Sequence, residues 1–294
     1  LKGRVKGQDH VIDDFAQLLW LNYAKRDRKR PVASVLFVGP TGTGKTELCK
    51  ALAEHMYGDD DACLEFAGPE LSNPESKARL IGNPPGYKDP RGQLTGPMIN
   101  NPKRLVVFDE IDKAHPLIAD LFLKMMGDGK LTEQGTGKVA DFTQSVIALT
   151  SNEEFETMLE LQEQISHPDE LSNAIKGHLI AGGRWRPEVL GRIDRVYVYK
   201  PIPLEVVAEI LAIKFEGLAA SYAVALEHIE FELLLELLKR SDKVKNFGIR
   251  GMVQILDRDI APAILRAKEA GARRVRLGLD SVGQPTVEIV ERVS

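Results

Sequence analysis

One short run limits what this chain can be. Gly39-Pro40-Thr41-Gly42-Thr43-Gly44-Lys45-Thr46 fits the pattern G-x-x-x-x-G-K-S/T. It follows a short apolar, β-branched run, Val32–Val38, and precedes a helix-forming stretch, Glu47–Met56. Strand, glycine-rich turn and helix, in that order, is the context in which this pattern carries chemistry. The glycines let the backbone wrap closely, so that successive N–H groups face a phosphate, and the helix start adds its positive end. Lys45 can then reach the β- and γ-phosphates, and Thr46 can offer its hydroxyl to Mg²⁺. Gly39, Thr41, Gly42, Thr43 and Gly44 are the expected backbone contacts beside them.

The rest of the chain supplies a sheet for that loop. Leu105–Phe108, Val146–Leu149 and Val196–Tyr199 are further near-continuous apolar runs, separated by helix-like segments. Such strands, alternating with helices, mark a parallel sheet covered on both faces, so the expected class is α/β. Gln8 to Arg26 places Val11, Phe15, Leu18 and Leu19 at helical spacing. The basic run from Lys25 to Arg30 reads as a solvated linker. After Pro201-Ile202-Pro203 the character changes. Helical patterns span Glu205–Leu218, His228–Arg240 and Gly251–Ala270, and alternating runs at Arg274–Leu279 and Thr286–Val290 suggest a hairpin. A domain boundary is expected near residue 202, giving units 1–202 and 203–294.

Composition excludes several classes. The 294 residues carry 39 Lys and Arg against 43 Asp and Glu, a net charge of −4. A broadly basic surface for nucleic acid is therefore not expected. No apolar run is long enough to span a membrane. Cys49 and Cys63 are the only cysteines, which excludes a disulfide framework and a multi-cysteine zinc site. The histidines are scattered without ligand spacing, so no metal is expected beyond the Mg²⁺ of a nucleotide. The chain opens Leu1-Lys2-Gly3 without Met and reads as a piece of a longer, cytoplasmic protein.

Two acids, Asp109-Glu110, follow the second strand. In phosphate-loop enzymes an acid there holds Mg²⁺, and its neighbour can polarise an attacking water. Asn152 follows the third strand, where the carboxyl ends of a parallel sheet face the ligand. Its amide could orient the water or touch the γ-phosphate; an Asx turn or helix cap explains it equally well.

These residues resemble the Clp-type AAA+ ATPases, most closely the second ATPase module of ClpB-like disaggregases. Arg4-Val5-Lys6-Gly7-Gln8-Asp9 is similar to the family's R-V-x-G-Q-D, and residues 39–54 to its phosphate loop and helix. Ile81–Tyr87 resembles the I-G-x-P-P-G-Y pore loop, and Asp109–Pro116 the D-E-x-x-K-A-H-P segment. Asp128–Thr132 with Asp141-Phe142, Arg186-Pro187-Glu188 with Arg192-Ile193-Asp194, and Gly248-Ile249-Arg250 match three later motifs.

The resemblance implies an AAA+ large α/β domain with a smaller C-terminal lid of helices and a short hairpin, binding ATP and Mg²⁺. It implies a homo-oligomeric ring, usually of six subunits. Val5, Lys6 and Gly7 would lie near the adenine, Asn152 would be the sensor, and Arg250 would reach the phosphates from the lid. Arg192, together with Arg186, would be the arginine finger serving a neighbour's site; read without the family, either is a surface ion pair with Asp194 or Glu188. Tyr87 would grip an extended polypeptide, since an aromatic ring on a turn-prone loop makes sequence-independent apolar contact.

Two departures matter. The family loop G-Y-V-G reads Gly86-Tyr87-Lys88-Asp89 here, which places Lys88 beside the gripping ring and makes the loop less apolar. The Ile-Gly-Phe/Leu tripeptide that docks peptidases is missing from Glu153–Arg184, so no peptidase partner is expected. The expected function is an ATP-driven unfoldase or disaggregase that threads polypeptides; the alternative is a non-threading remodeller of one dedicated protein.

Overall fold

A computed structural model describes residues 1–58, 62–87, 90–242 and 256–292. The chain forms two compact units, residues 1–40 with 44–200, and residues 41–43 with 201–294.

In the first unit, helix α1 (Asp9–Tyr23) leads into strand β1 (Ala33–Val38), the loop, and helix α2 (Lys45–Tyr57). Then come β2 (Cys63–Ala67), α3 (Ser76–Ile81), α4 (Thr95–Asn100) and β3 (Leu105–Asp109). Helix α5 (Ala119–Asp128), a small ribbon β4 (Lys130–Thr132) and β5 (Val139–Asp141), and β6 (Val146–Ser151) follow. The unit closes with α6 (Phe155–Gln164), α7 (Pro168–Ala181), α8 (Pro187–Leu190) and β7 (Arg195–Val198).

The sheet order is β2-β3-β6-β1-β7, and every pairing is parallel. All six side chains of β1 are buried. Strand alternation sends Val35 and Phe37 to one face, against Phe15 of α1 and Leu48 and Leu52 of α2. Leu36 and Val38 go to the other face, with Phe108, Leu149, Phe122, Met125 and Ile175. Apolar side chains on both faces demand helices on both faces, which is why these strands read as unbroken hydrophobic runs.

In the second unit, α9 (Leu204–Ser221) is followed by β8 (Ala225–Ile229) and α10 (Phe231–Asp242). A π-helical turn at Leu256–Ile260, α11 (Ala261–Glu269), β9 (Ala272–Leu279) and β10 (Pro285–Arg292) complete it. The expected hairpin is β9–β10, antiparallel, with Asp280–Gly283 at its turn. Strand β8 joins the other edge of β9 in parallel, making three strands.

One sequence expectation needs correction, and three short strands had no sequence signal. The helix read over His228–Arg240 begins at Phe231, because residues 225–229 pair with β9 instead. Strand β2 was not anticipated; it is an edge strand with only Phe66 fully buried, so its apolar signal is weak. The β4–β5 ribbon is likewise too short to read from periodicity. The basic run is solvated as expected, with all of Lys25–Arg30 exposed except half-buried Arg28, whose guanidinium lies 5.4 Å from the Tyr23 ring centre and donates to the carbonyls of Lys25 at 2.9 Å and Thr143 at 3.1 Å. The Glu153–Arg184 segment forms α6 and α7, with Met158 buried and Leu159, Leu161 and Ile165 packed on the core.

Candidate active site

Three adjacent strands deliver the chemistry. β1 runs into the glycine loop, β3 ends at Asp109, and β6, between them, ends just before Asn152. The register pairs Val38 with Ser151 and Phe108 with Leu149, so Thr150 falls level with Asp109. Parallel strands thus put residues distant in sequence on one edge, the edge where ligands bind in open α/β sheets.

Lys45, the first residue of α2, is only 6% exposed. Its ammonium donates to the carbonyls of Gly39 at 2.6 Å and Pro40 at 2.9 Å, and to Asn152 Oδ1 at 2.6 Å. The amide of Asn152 donates in turn to Glu110 Oε1 at 3.2 Å. One side chain therefore links the phosphate-loop lysine to the second acid. The cap position of α6 is held by Glu154, not by Asn152.

Thr46 donates to Asp109 Oδ1 at 3.3 Å. Thr150 donates to the same oxygen, and its hydroxyl accepts the backbone N–H of Glu110 at 2.9 Å. Glu110 itself has a left-handed backbone, φ 51°. Its Oε2 accepts Lys113 at 2.7 Å, and that hydrogen bond raises the lysine's pKa above the ordinary value.

The donor set fits a magnesium nucleotide. Gly42 and Gly44 have φ of 80° and 97°, the left-handed conformation that turns successive N–H groups to one side. Helix α2 begins at Gly44 with no side-chain cap, leaving its first N–H groups for a ligand. A buried ammonium, a hydroxyl and a carboxylate lie at the same edge. Val5 is buried, and one of its methyls lies 3.4 Å from where a Gly44 side chain would begin. Lys6 is half-buried and Gly7 is left-handed. The next residue, Gln8, exchanges hydrogen bonds with the Lys200 backbone at 2.8 and 3.1 Å and so ties this entry segment to the end of β7.

Arg186 and Arg192 stand apart from this network. Arg186 pairs with Asp120 at 2.8 Å and approaches Glu188 at 3.8 Å. Arg192 donates to the Leu123 carbonyl at 3.4 Å, and its guanidinium lies against Gly127. Both arginines therefore rest on α5. The Asp194 partner considered for Arg192 instead accepts the Ser34 N–H at 2.7 Å.

Tyr87 is 71% exposed. Its loop is rooted between α3 and α4: Gln93 and Leu94 donate their N–H groups to Arg79 and Leu80 at 2.9 and 3.0 Å. The buried Glu133 carboxylate accepts the Gly92 N–H at 2.9 Å, Thr95 at 3.1 Å and Thr136 at 2.6 Å. Lys88, Asp89 and Arg250, with Gly248 and Ile249, lie outside the described residues.

Sequence reasoning missed Thr150, Lys113 and Glu133. Thr150 was hidden because it follows the apolar run Val146–Leu149 directly and, being β-branched, reads as its continuation in the strand. Lys113 was legible only as a member of a motif, and two of the three hydrogen-bond partners of Glu133, Gly92 and Thr95, lie about forty positions away in sequence.

Comparison with known proteins now decides the family. Residues 30–196 match the AAA domain (Cdc48 subfamily). The chain belongs to the AAA domain family. The chain is an ATPase of the Clp type. It is 32% identical over 290 residues, 95% of its length, to "Chaperone protein ClpB" of Rhodopirellula baltica, covering 32% of that protein. It is 37% identical over 224 residues, 72% of its length, to "Chaperone protein ClpB" of Aquifex aeolicus, covering 22% of it. "Chaperone protein ClpB2, chloroplastic" of Oryza sativa subsp. japonica is 34% identical over 278 residues, which is 90% of this chain and 28% of that protein. The chain spans about a third or less of the length of these relatives. Among the described residues, no helix is long and apolar enough to cross a membrane.

Proposed function

We propose that this AAA domain is one ATPase module of a ClpB-like chaperone that threads polypeptides through a ring of six subunits. The network joining Lys45, Asn152, Glu110, Thr150 and Asp109 is the observation that carries the reading. It supplies what phosphoryl transfer needs, which is positioning and charge stabilisation.

In this reading Lys45 binds the β- and γ-phosphates, helped by the backbone of Gly39, Thr41, Gly42, Thr43 and Gly44. Val5, Lys6 and Gly7 line the base. Thr46 and Asp109 hold Mg²⁺, which when bound neutralises phosphate charge. Glu110 takes the proton of the attacking water, and Asn152 orients that water. Arg192, with Arg186 beside it, completes a neighbour's site across the ring; in support, both rest on α5 and neither joins the network of their own Lys45. Arg250 reaches the phosphates from the C-terminal unit. Tyr87, with Lys88 next to it, contacts the substrate chain. A cytoplasmic setting, no peptidase partner and no nucleic-acid partner belong to the same proposal.

The test is a pair of variants of the assembled protein. Tyr87→Ala should still hydrolyse ATP but fail to unfold a tagged reporter, while Lys45→Ala should lose both. Unfolding by Tyr87→Ala at the wild-type rate would remove threading through this loop. The Lys88-Asp89 pair favours a second reading, a non-threading remodeller of one protein partner. Hydrolysis stimulated by a single native protein, and not by unfolded chains, would select it. Salt-sensitive stimulation by DNA or RNA would instead reopen a nucleic-acid motor.

A further inference from the structure

We propose that Thr150 is the positioning residue that sets both acids for hydrolysis, through one hydroxyl. The inference rests on the reading of Asp109 as the magnesium ligand and Glu110 as the general base. A threonine hydroxyl has one proton to give and lone pairs to accept with. Here the proton goes to Asp109 Oδ1, and a lone pair takes the Glu110 N–H at 2.9 Å. Thr150 is fully buried, so water does not compete for either bond.

The second bond matters because Glu110 has a backbone that non-glycine residues rarely adopt, φ 51° and ψ 49°. Such a conformation persists only where its surroundings hold it. The Glu110 peptide is held on both sides. Thr150 takes its N–H, and Gly68 lets its carbonyl approach: a side-chain carbon on Gly68 would sit 2.0 Å from Glu110 O. The Glu110 carbonyl also accepts the Lys113 N–H at 3.0 Å, starting the turn that brings the Lys113 side chain onto the carboxylate. The first bond orients Asp109. Thr46 and Thr150 both donate to Oδ1, while Oδ2 accepts no hydrogen bond among the described residues. Thr150 therefore fixes which carboxylate oxygen is left for a cation, and where Glu110 stands relative to it.

Replacing Thr150 with Val keeps the shape and removes the hydroxyl. Three variants separate the possibilities: Thr150→Val, Thr150→Ser and Glu110→Gln. Each is assayed for kcat and KM, for thermal unfolding, and for binding of a fluorescent ATP analogue with Mg²⁺ titrated from zero. Thr150→Val should lose about 100-fold or more in kcat, the scale of a misplaced general base. It should keep metal-free nucleotide binding and need several-fold more Mg²⁺ for half-maximal binding. Thr150→Ser should restore kcat to within about 3-fold of wild type, since it returns the bonding group. Wild-type kcat and Mg²⁺ dependence in Thr150→Val would overturn the proposal. So would equal losses in Val and Ser, which would mark a purely structural role. If Thr150→Val yields no folded protein, Thr150→Cys, a weak donor of similar size, decides on the same outcomes. Turnover retained by Glu110→Gln would instead reject the underlying assignment of the base.

Discussion

The ammonium of Lys45 and the amide oxygen of Asn152 lie 2.6 Å apart although 107 positions separate them in the chain. The bond spans the ends of two paired strands, β1 and β6, and continues through the same amide to Glu110. Replacing Asn152 with Ala should lower kcat by about 10- to 100-fold, the loss of hydrogen bonds to charged partners. Affinity for ADP should change much less. Steady-state hydrolysis beside ADP titration checks this, and an unchanged kcat would count against the link.

Glu110→Gln should bind ATP and hydrolyse it about 100-fold or more slowly than wild type. Arg192→Ala should also be slow on its own, because a missing guanidinium leaves charge on the transferring group unbalanced. Rings assembled from both variants should regain part of the rate, since some interfaces then pair an intact Glu110 with an intact Arg192. No recovery in verified mixed rings would place Arg192 outside the reaction.

Glu133 makes stability depend on pH. Burial pushes its carboxyl pKa up, but the bonds from Thr136, the Gly92 N–H and Thr95 outweigh this and hold it below the ordinary 4.5. The folded state thus prefers the ionised form. Its contribution is present above the unfolded value and is lost as pH falls below that value, when the unfolded chain takes up the proton first. Glu133→Gln should cost about 1–3 kcal/mol at neutral pH. Denaturant titrations between about pH 6 and pH 3 should show a shallower acid loss in the variant. Parallel curves would exclude Glu133 as a source.

Phe108 sits at the centre of the first unit, fully buried, with its ring 5.4 Å from Phe66 and 4.8 Å from Phe122. Phe108→Ala should destabilise that unit by about 3–5 kcal/mol. It should also weaken Mg²⁺-dependent nucleotide binding, because Asp109 is the next residue on the strand. A change under about 1 kcal/mol would mean that the helices collapse into the space.

Much of this site was legible before any coordinates. The glycine loop, Asp109-Glu110 and Asn152 each stand at the end of a run whose apolar, β-branched content marks a buried strand. What stayed hidden was polar chemistry inside those runs. Thr150 belongs to a strand by every local signal, and only the register of β6 against β3 reveals its second role. His228 and Ile229 mislead for the opposite reason: they run straight into the helical pattern that follows, yet pairing with β9 holds them in a strand. Strand β2 escaped notice because an edge strand with one buried side chain lacks an apolar run.

The position of β6 between β1 and β3 has a consequence for any assay of this ATPase. A slip of one residue along either neighbour would send Thr150 to the wrong side of the sheet and part Asn152 from Lys45. On the roles proposed for Thr150 and Asn152, hydrolysis therefore needs β6 in register with both neighbours at once. An assay of ATP turnover then reports on the alignment of the three central strands as well as on the chemistry.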